Sequence, residues 1–141
     1  MDDILKLYKN YFVRFENSEA EEILDFFLKE FKGEIALATS FGAEDQVLID
    51  MVSSMEPACQ IFTLETGRLP EETYRVWERS EKHYGISIEP YYPERESLEE
   101  LVKSQGVNGF YDSIENRKRC CSVRKIETLK RALQGKKAWI T

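Results

Sequence analysis

No stretch of this 141-residue chain stays apolar for more than a few residues, and it holds only one histidine, three cysteines and four prolines. Each scarcity excludes something. Without an apolar run of about twenty residues, no segment reads as a helix crossing a bilayer. Three cysteines cannot close a disulfide framework, and two of them, Cys120 and Cys121, are adjacent, which leaves reduced thiols, a metal site or redox chemistry. The lone His83 falls near a predicted helix end and reads as a surface or C-cap residue rather than a ligand. The opening Met1-Asp2-Asp3-Ile4 lacks the basic-then-apolar order of a secretory signal, so the cytoplasm is the expected compartment. Internal repeats, low-complexity tracts and linker-like segments are also missing.

What is present is the composition of a globular domain, 42% apolar and 33% charged. The length suits one modest α/β or α+β domain and is too short for two with proper cores. The net charge of −6, from 20 basic and 26 acidic residues, is unevenly spread. Arg117 to Lys137 holds nine basic residues against one acid, Glu127, or +8, and the rest of the chain carries −14. Such an island is expected to receive an anion. A nucleic-acid module fits poorly, because the segment has few aromatics to stack bases and the acidic remainder would repel a long polyanion.

Hydrophobic periodicity predicts an amphipathic helix over Asp2 to Phe15, with Ile4, Leu5, Tyr8, Tyr11, Phe12 and Phe15 on one stripe. Ser18 and Glu21 form a capping-box signal for a second helix, buried through Ile23, Leu24, Phe27, Leu28 and Phe31 and ended by Gly33. Residues 1–33 thus read as a helical cover over a core spanning 34–141. Glu34 to Thr39 suits a strand buried on both faces, followed by a loop at Gly42, a helix stopped by Pro57, and a second strand from Cys59 to Leu64. Pro70 is expected in the first turn of a helix running to about Tyr84, and Ile86 to Tyr92 is a third strand candidate. Further on come a short helix at Leu98 to Val102, a turn at Gln105 to Gly109, helical periodicity from Cys120 to Leu133, and the start of a strand at Ala138. Alternating strands and helices predict a doubly wound, mostly parallel α/β sheet.

Three motifs carry chemistry. Ser40-Phe41-Gly42-Ala43-Glu44-Asp45 is a small-residue loop between a buried strand and a helix, where backbone N–H groups and the helix dipole can face an anion. It is neither a Walker loop nor a dinucleotide fingerprint, and taken alone it is equally a plain turn with helix-capping residues. Leu64-Glu65-Thr66-Gly67-Arg68 is a second polar loop; if the first two strands are neighbours, both loops open on one sheet edge, where a nucleoside could lie. Its bland alternative is turn chemistry ahead of a helix. In Arg119-Cys120-Cys121-Ser122-Val123-Arg124-Lys125, thiolates beside cations are good nucleophiles or metal ligands. Neighbouring cysteines suit neither a lone tetrahedral zinc nor a relaxed disulfide, but they can give two thiolates to a larger cluster. Buried small residues remain the other reading. Cys59, in a predicted strand, reads as a small buried hydrophobe.

Together and in this order, these motifs resemble the adenylylsulfate and phosphoadenylylsulfate reductases of assimilatory sulfate reduction. Pro70 to Tyr74 and the closing Ala138-Trp139-Ile140-Thr141 extend the resemblance, which covers the chain from about Ile35 onward. It implies an adenine-nucleotide α-hydrolase fold with a modified PP-loop. It also implies that Ser40, Phe41, Gly42, Ala43 and Asp45 hold the nucleotide, that Leu64, Thr66 and Gly67 line the adenosine pocket, and that Arg124 and Lys125 face the sulfate and phosphate. Cys120 and Cys121 match the tandem pair that ligates a [4Fe–4S] cluster, pointing to the adenylylsulfate-preferring branch. The implied partners are adenylyl sulfate or phosphoadenylyl sulfate and thioredoxin or a similar dithiol donor, with no nucleic acid and no membrane; a homo-oligomer is left open.

The departures are equally specific. The family's second cysteine pair and its nucleophilic cysteine have no counterpart here, so no catalytic residue is expected within the chain and only two of four cluster ligands are present. The expectation is an incomplete, amino-terminal portion of a reductase, inactive alone. Two alternatives stay open: an ATP-pyrophosphatase-type nucleotidyl transferase, such as a sulfate adenylyltransferase subunit, and a non-catalytic nucleotide-binding fragment. Against the first, the loop lacks the consecutive glycines and trailing serine that suit a pyrophosphate leaving group.

Overall fold

The structure, a computed structural model, describes the backbone of residues 2–141 and the side chains of residues 8–141. Four strands, β1 (Ile35–Ala38), β2 (Gln60–Leu64), β3 (Glu89–Tyr91) and β4 (Ala138–Ile140), form one parallel sheet in the order β3-β2-β1-β4. On β1, Leu37 stands opposite Ile61 of β2 and Ile140 of β4. The strand is apolar at every position because both its faces are covered, as a parallel sheet requires. Ile35 and Leu37 join one hydrophobic cluster, whereas Ala36 and Ala38 belong to another on the opposite face.

The strand order explains which helix covers which face. Moving from β1 to β2 and from β2 to β3 steps the chain across the sheet in one direction, so α3 (Ala43–Met55) and α4 (Glu71–Tyr84) share a face. There Ile49, Val52, Trp77 and Tyr84 pack with Leu37 and Ile61. Returning from β3 to β4 reverses the direction, and the connection must cross the other face. It does so through α5 (Arg95–Gln105), α6 (Ile114–Cys121) and α7 (Glu127–Ala132), with Leu129, Ala132 and Leu133 meeting Ala36 and Phe62. Alanine at positions 36 and 38 lets α7 approach the sheet closely.

At the start of the chain, α1 (Asp2–Phe15) and α2 (Ala20–Glu30) pack as an antechamber to the first face. The boundaries of α1 match the expectation, but its stripe is only half used. Tyr11 and Phe15 meet Phe26 and Phe27 with ring centroids 5.1–5.8 Å apart. Tyr8 and Phe12 are instead 63% and 57% exposed, stacked on each other. Ile4 and Leu5 lie outside the described side chains. On α2, Leu24 and Leu28 enter the main cluster, so residues 1–33 contribute to the core rather than only covering it.

Other expectations need correction. The Ser18–Glu21 capping box does not form: Ser18 donates its N–H to Phe15 O at 3.1 Å in the turn, and α2 starts after Glu19 with no side-chain cap. Pro70 sits at the N-cap of α4, one residue before the helix. The third strand is shorter than Ile86 to Tyr92 because the Ile88 N–H is taken by Glu81 Oε1 at 2.7 Å instead of a neighbouring strand. The helical stretch begins earlier than Cys120, at Ile114, and is broken by a π turn at Ser122–Ile126. Among the described residues no helix is long and apolar enough to cross a membrane.

The buried face of α2 and the exposed part of the α1 stripe make a direct test. Replacing Leu28, 2% exposed, by alanine is expected to cost about 2–5 kcal/mol in urea unfolding, whereas Tyr8→Ala should stay within about 0.5 kcal/mol.

Candidate functional site

The loop after β1 is organised by one carboxylate. Asp45, at the third position of α3 and 6% exposed, accepts hydrogen bonds from the Ser40 N–H (2.6 Å), the Ser40 hydroxyl (2.9 Å) and the Gly42 N–H (3.2 Å). Phe41 N–H donates to Thr39 Oγ1 at 2.9 Å. Phe41 is held at φ 66, a left-handed conformation that is costly for a side-chain-bearing residue, and its ring stacks on Trp77 at 5.5 Å. A Cβ on Gly42 would stand 2.8 Å from Glu44 Oε1, so the Glu44 carboxylate also folds back over the helix start. Asp45 thus takes the Ser40 and Gly42 N–H groups and Thr39 takes that of Phe41.

The loop after β2 follows the same logic. Glu65, 3% exposed, accepts from the Gly67 N–H at 2.6 Å, and Thr66 Oγ1 accepts from the Arg68 N–H at 3.2 Å. Gly67 adopts φ 71, and a Cβ there would approach Arg124 Nη1 to 3.4 Å. Glycine adopts this left-handed conformation without strain. Arg124 Nη1 donates to Thr66 O at 2.6 Å, and Arg68 donates to Val107 O and Asn108 Oδ1 at 2.9 and 3.0 Å, tying this loop to the helices beyond β3. The Glu65 carboxylate next to Tyr74 favours the protonated phenol, and with partial desolvation this pushes Tyr74 up to about 12.

Cys120 and Cys121 end α6, the first half-buried and the second exposed. The π turn behind them adds one residue to a helical repeat. Its consequence shows in the buried stripe, which runs Val123, Thr128, Ala132. With uninterrupted α spacing the stripe from Val123 would pass through Glu127 and Arg131; the extra residue keeps both charges outward. Two free thiols side by side fit one half of a four-thiolate donor set. Among the described residues no group of three or more cysteine, histidine or acidic side chains comes together.

Two cavities meet at the carboxyl ends of the strands, where β1 and β4 lie at the reversal of strand order and ligands bind in such sheets. The first, about 250 Å³, is lined by strand-end residues including Thr39, Ser40, Thr63 and Thr66, with Leu129 and Trp139 closing it. The second, about 450 Å³, is lined by Arg68, Arg117, Arg124, Phe110, Cys120 and Cys121. Thr66, Leu69 and Lys125 line both. Of the sequence-derived candidates, Ser40, Asp45, Leu64, Thr66 and Lys125 line the first cavity, while Arg124, Cys120 and Cys121 line the second. Phe41, Gly42, Ala43 and Gly67 line neither: Phe41 packs against the core, Gly42 and Ala43 start α3, and Gly67 shapes the loop after β2. Trp139, Thr141 and Leu129 were not singled out as site residues, because their presence depends on β4 and α7 lying beside β1, which the strand order decides.

The basic island is more dispersed than its sequence suggests. Arg119 pairs with Glu100 (2.8 Å), Arg131 with Glu94, and Lys137 with Glu34 (2.9 Å). Only Arg117, Arg124 and Lys125 of the nine line the cavities.

A four-stranded parallel sheet covered on both faces, with its cavity at the strand-order reversal, is the α/β fold of the adenine-nucleotide α-hydrolase type. Residues 34–141 match the phosphoadenosine phosphosulfate reductase domain, and the chain belongs to that family. It is 50% identical over 107 residues to the adenosine 5'-phosphosulfate reductase of Allochromatium vinosum, covering 76% of this chain and 42% of that protein. To the chloroplastic 5'-adenylylsulfate reductase 3 of Arabidopsis thaliana it is 43% identical over 128 residues, covering 91% and 27%. The phosphoadenylyl-sulfate (PAPS) reductase of Candida auris, solved as a phosphate complex, shares the fold at TM-score 0.76 and 22% identity, over 92% of this chain and 64% of that one. The chain thus spans less than half the length of these two curated relatives.

The Tyr74 phenol gives this site a pH signature. Its folded value lies above the ordinary 10.0, so the stabilisation from the Glu65 carboxylate beside it is complete below pH 10 and is lost as pH rises toward about 12. An ultraviolet phenolate titration of the native protein minus Tyr74→Phe should leave a step near 12. A difference step at 10 would show that Glu65 does not act on the phenol.

Proposed function

We propose that the paired cavities bind a sulfonucleotide, adenylyl sulfate or phosphoadenylyl sulfate, for a cytoplasmic reductase that yields sulfite and AMP or adenosine bisphosphate. The observation that carries this reading is the contrast between the two cavities. The first is walled mainly by hydroxyls and apolar side chains, with the Asp45 carboxylate bonded to its own loop, suited to an adenosine. The second holds Arg68, Arg117, Arg124 and Lys125 with no acid, suited to the anionic end. Lys125 lines both and stands where the phosphosulfate would bridge them.

The β1 loop favours this reading over a pyrophosphatase-type transferase. With the Ser40 and Gly42 N–H groups bonded to Asp45 and Glu44 folded over Gly42, the loop offers little to a pyrophosphate. In this reading Asp45 fixes the loop, Ser40 and Thr66 face the nucleoside, and Arg124 holds the Thr66 carbonyl while lining the anion cavity.

In the reaction, a cysteine thiolate attacks the sulfate sulfur, the sulfur–oxygen bond to phosphate breaks, and AMP departs with that electron pair. The resulting thiosulfonate is released as sulfite when a dithiol such as thioredoxin is oxidised to its disulfide. Cys59 does not suit the first step: it precedes β2, at the sheet edge opposite the cavities, and burial pushes its thiol up. The nucleophile therefore comes from residues outside these 141. Cys120 and Cys121 would give two thiolates to a [4Fe–4S] cluster, with the other two likewise supplied from outside. Such a cluster would place a polarisable inorganic core beside the anion.

In titration calorimetry the chain should bind AMP or adenylyl sulfate more tightly than ATP, and Lys125→Ala should weaken adenylyl sulfate about tenfold, the loss of one charge-assisted bond. Preference for ATP would overturn the assignment. After anaerobic incubation with iron and sulfide, these 141 residues should remain colourless. A longer form carrying further cysteines should gain visible absorbance that Cys120→Ser abolishes. A longer form that stays colourless would remove the cluster.

A further inference from the structure

We infer that Glu65 is a positioning residue for the nucleotide, acting through the Gly67 N–H to hold Thr66 at the shared wall of the two cavities. The inference rests on the sulfonucleotide reading and assigns a role to a side chain that touches neither cavity.

Glu65 is anomalous as a structural residue. A carboxylate 3% exposed costs several kcal/mol to desolvate unless it is paired and hydrogen-bonded, and among the described residues no cation bridges to it. The carboxylate is spent on the loop instead. Its backbone N–H continues the ladder one residue past β2 by donating to Tyr91 O at 2.9 Å, so the residue is pinned to β3. Its Oε1 then accepts from Gly67 N–H at 2.6 Å, closing a short ring that reverses the chain. The Tyr74 phenol of α4 lies beside the carboxylate, whose presence raises it to about 12.

Thr66 lies inside that ring. Its carbonyl is held from the other side by Arg124 Nη1 at 2.6 Å, and its side chain is 7% exposed on the cavity wall. Two opposed constraints, Glu65 from the sheet and Arg124 from the cysteine-bearing segment, therefore fix one residue common to the nucleoside and anion cavities. Removing the Glu65 constraint frees the Gly67 peptide, whose left-handed conformation is readily lost in glycine, and Thr66 leaves its place. What matters is an acceptor oxygen at the right reach, not the charge, so glutamine should serve.

The test uses Glu65→Ala, Glu65→Gln and Tyr74→Phe, with AMP as the probe. Calorimetry should show AMP at least tenfold weaker in Glu65→Ala, within threefold of wild type in Glu65→Gln, and intermediate in Tyr74→Phe. Hydrogen exchange should show the Gly67 amide at least tenfold faster in Glu65→Ala, with the Leu37 and Phe62 amides unchanged. Equal AMP affinity in wild type and Glu65→Ala, or glutamine as damaging as alanine, would overturn the assignment. If Glu65→Ala does not fold, the glutamine and Tyr74→Phe comparison still decides: Tyr74→Phe must loosen Gly67 and weaken AMP while Glu65→Gln does neither. Failure of wild type to bind AMP would sink the sulfonucleotide reading. Gly67 exchange would then decide the positioning role separately, and an unchanged rate in Glu65→Ala would end it.

Discussion

The pairing of β1 between β2 and β4 is the constraint from which the rest follows. Because β4 lies on the far side of β1 from β2, the chain must reverse direction across the sheet, and the connection that does so covers the opposite face. That reversal leaves a crevice at the ends of β1 and β4, and the cavity found there is lined by Thr39 and Ser40 from one and Trp139 and Thr141 from the other. Ala36 and Ala38 leave room on that face for Phe62, Tyr91 and the apolar side of α7.

Around the crevice the protein spends acids on shaping rather than on contact. Asp45 and Glu65 are both buried, and each accepts N–H groups from the loop that follows its strand. A site for an anion would gain nothing from bare carboxylates on its surface. Turned onto their own loops, they convert flexible turns into fixed walls, and the positive charge is delivered from the opposite side by Lys125 and Arg124. The π turn is what allows this delivery, because it lets Val123, Thr128 and Ala132 stay buried while Glu127 and Arg131 remain outside.

Sequence and structure agree most where a pattern is long and locally enforced. The limits of α1, the αL glycine at 85 that ends α4, and the continuous apolar run of β1 could be read because propensity, periodicity and burial coincide there. Disagreements arose where a side chain from elsewhere intervened. Glu81 captures the Ile88 N–H and shortens β3; Ser18 serves the preceding turn instead of capping α2. Tyr8 and Phe12 follow the period of a buried stripe yet remain in solvent, since α2 offers Phe26 and Phe27 only to Tyr11 and Phe15.

By itself, the sequence determined the alternation of strands and helices, the two strand-end loops, and the adjacency of Cys120 and Cys121, because these are properties of neighbouring residues. Family membership was readable for the same reason, through motifs a few residues long. Only the tertiary structure decided that Ser40 and Gly42 bond to Asp45, that Phe41 turns into the core, and that most of the basic island is paired or directed away. It also decided that Trp139 and Leu129 join the site. The difference is physical: periodicity records which face of an element is apolar, whereas the partner of a polar group depends on what the fold brings within 3 Å of it.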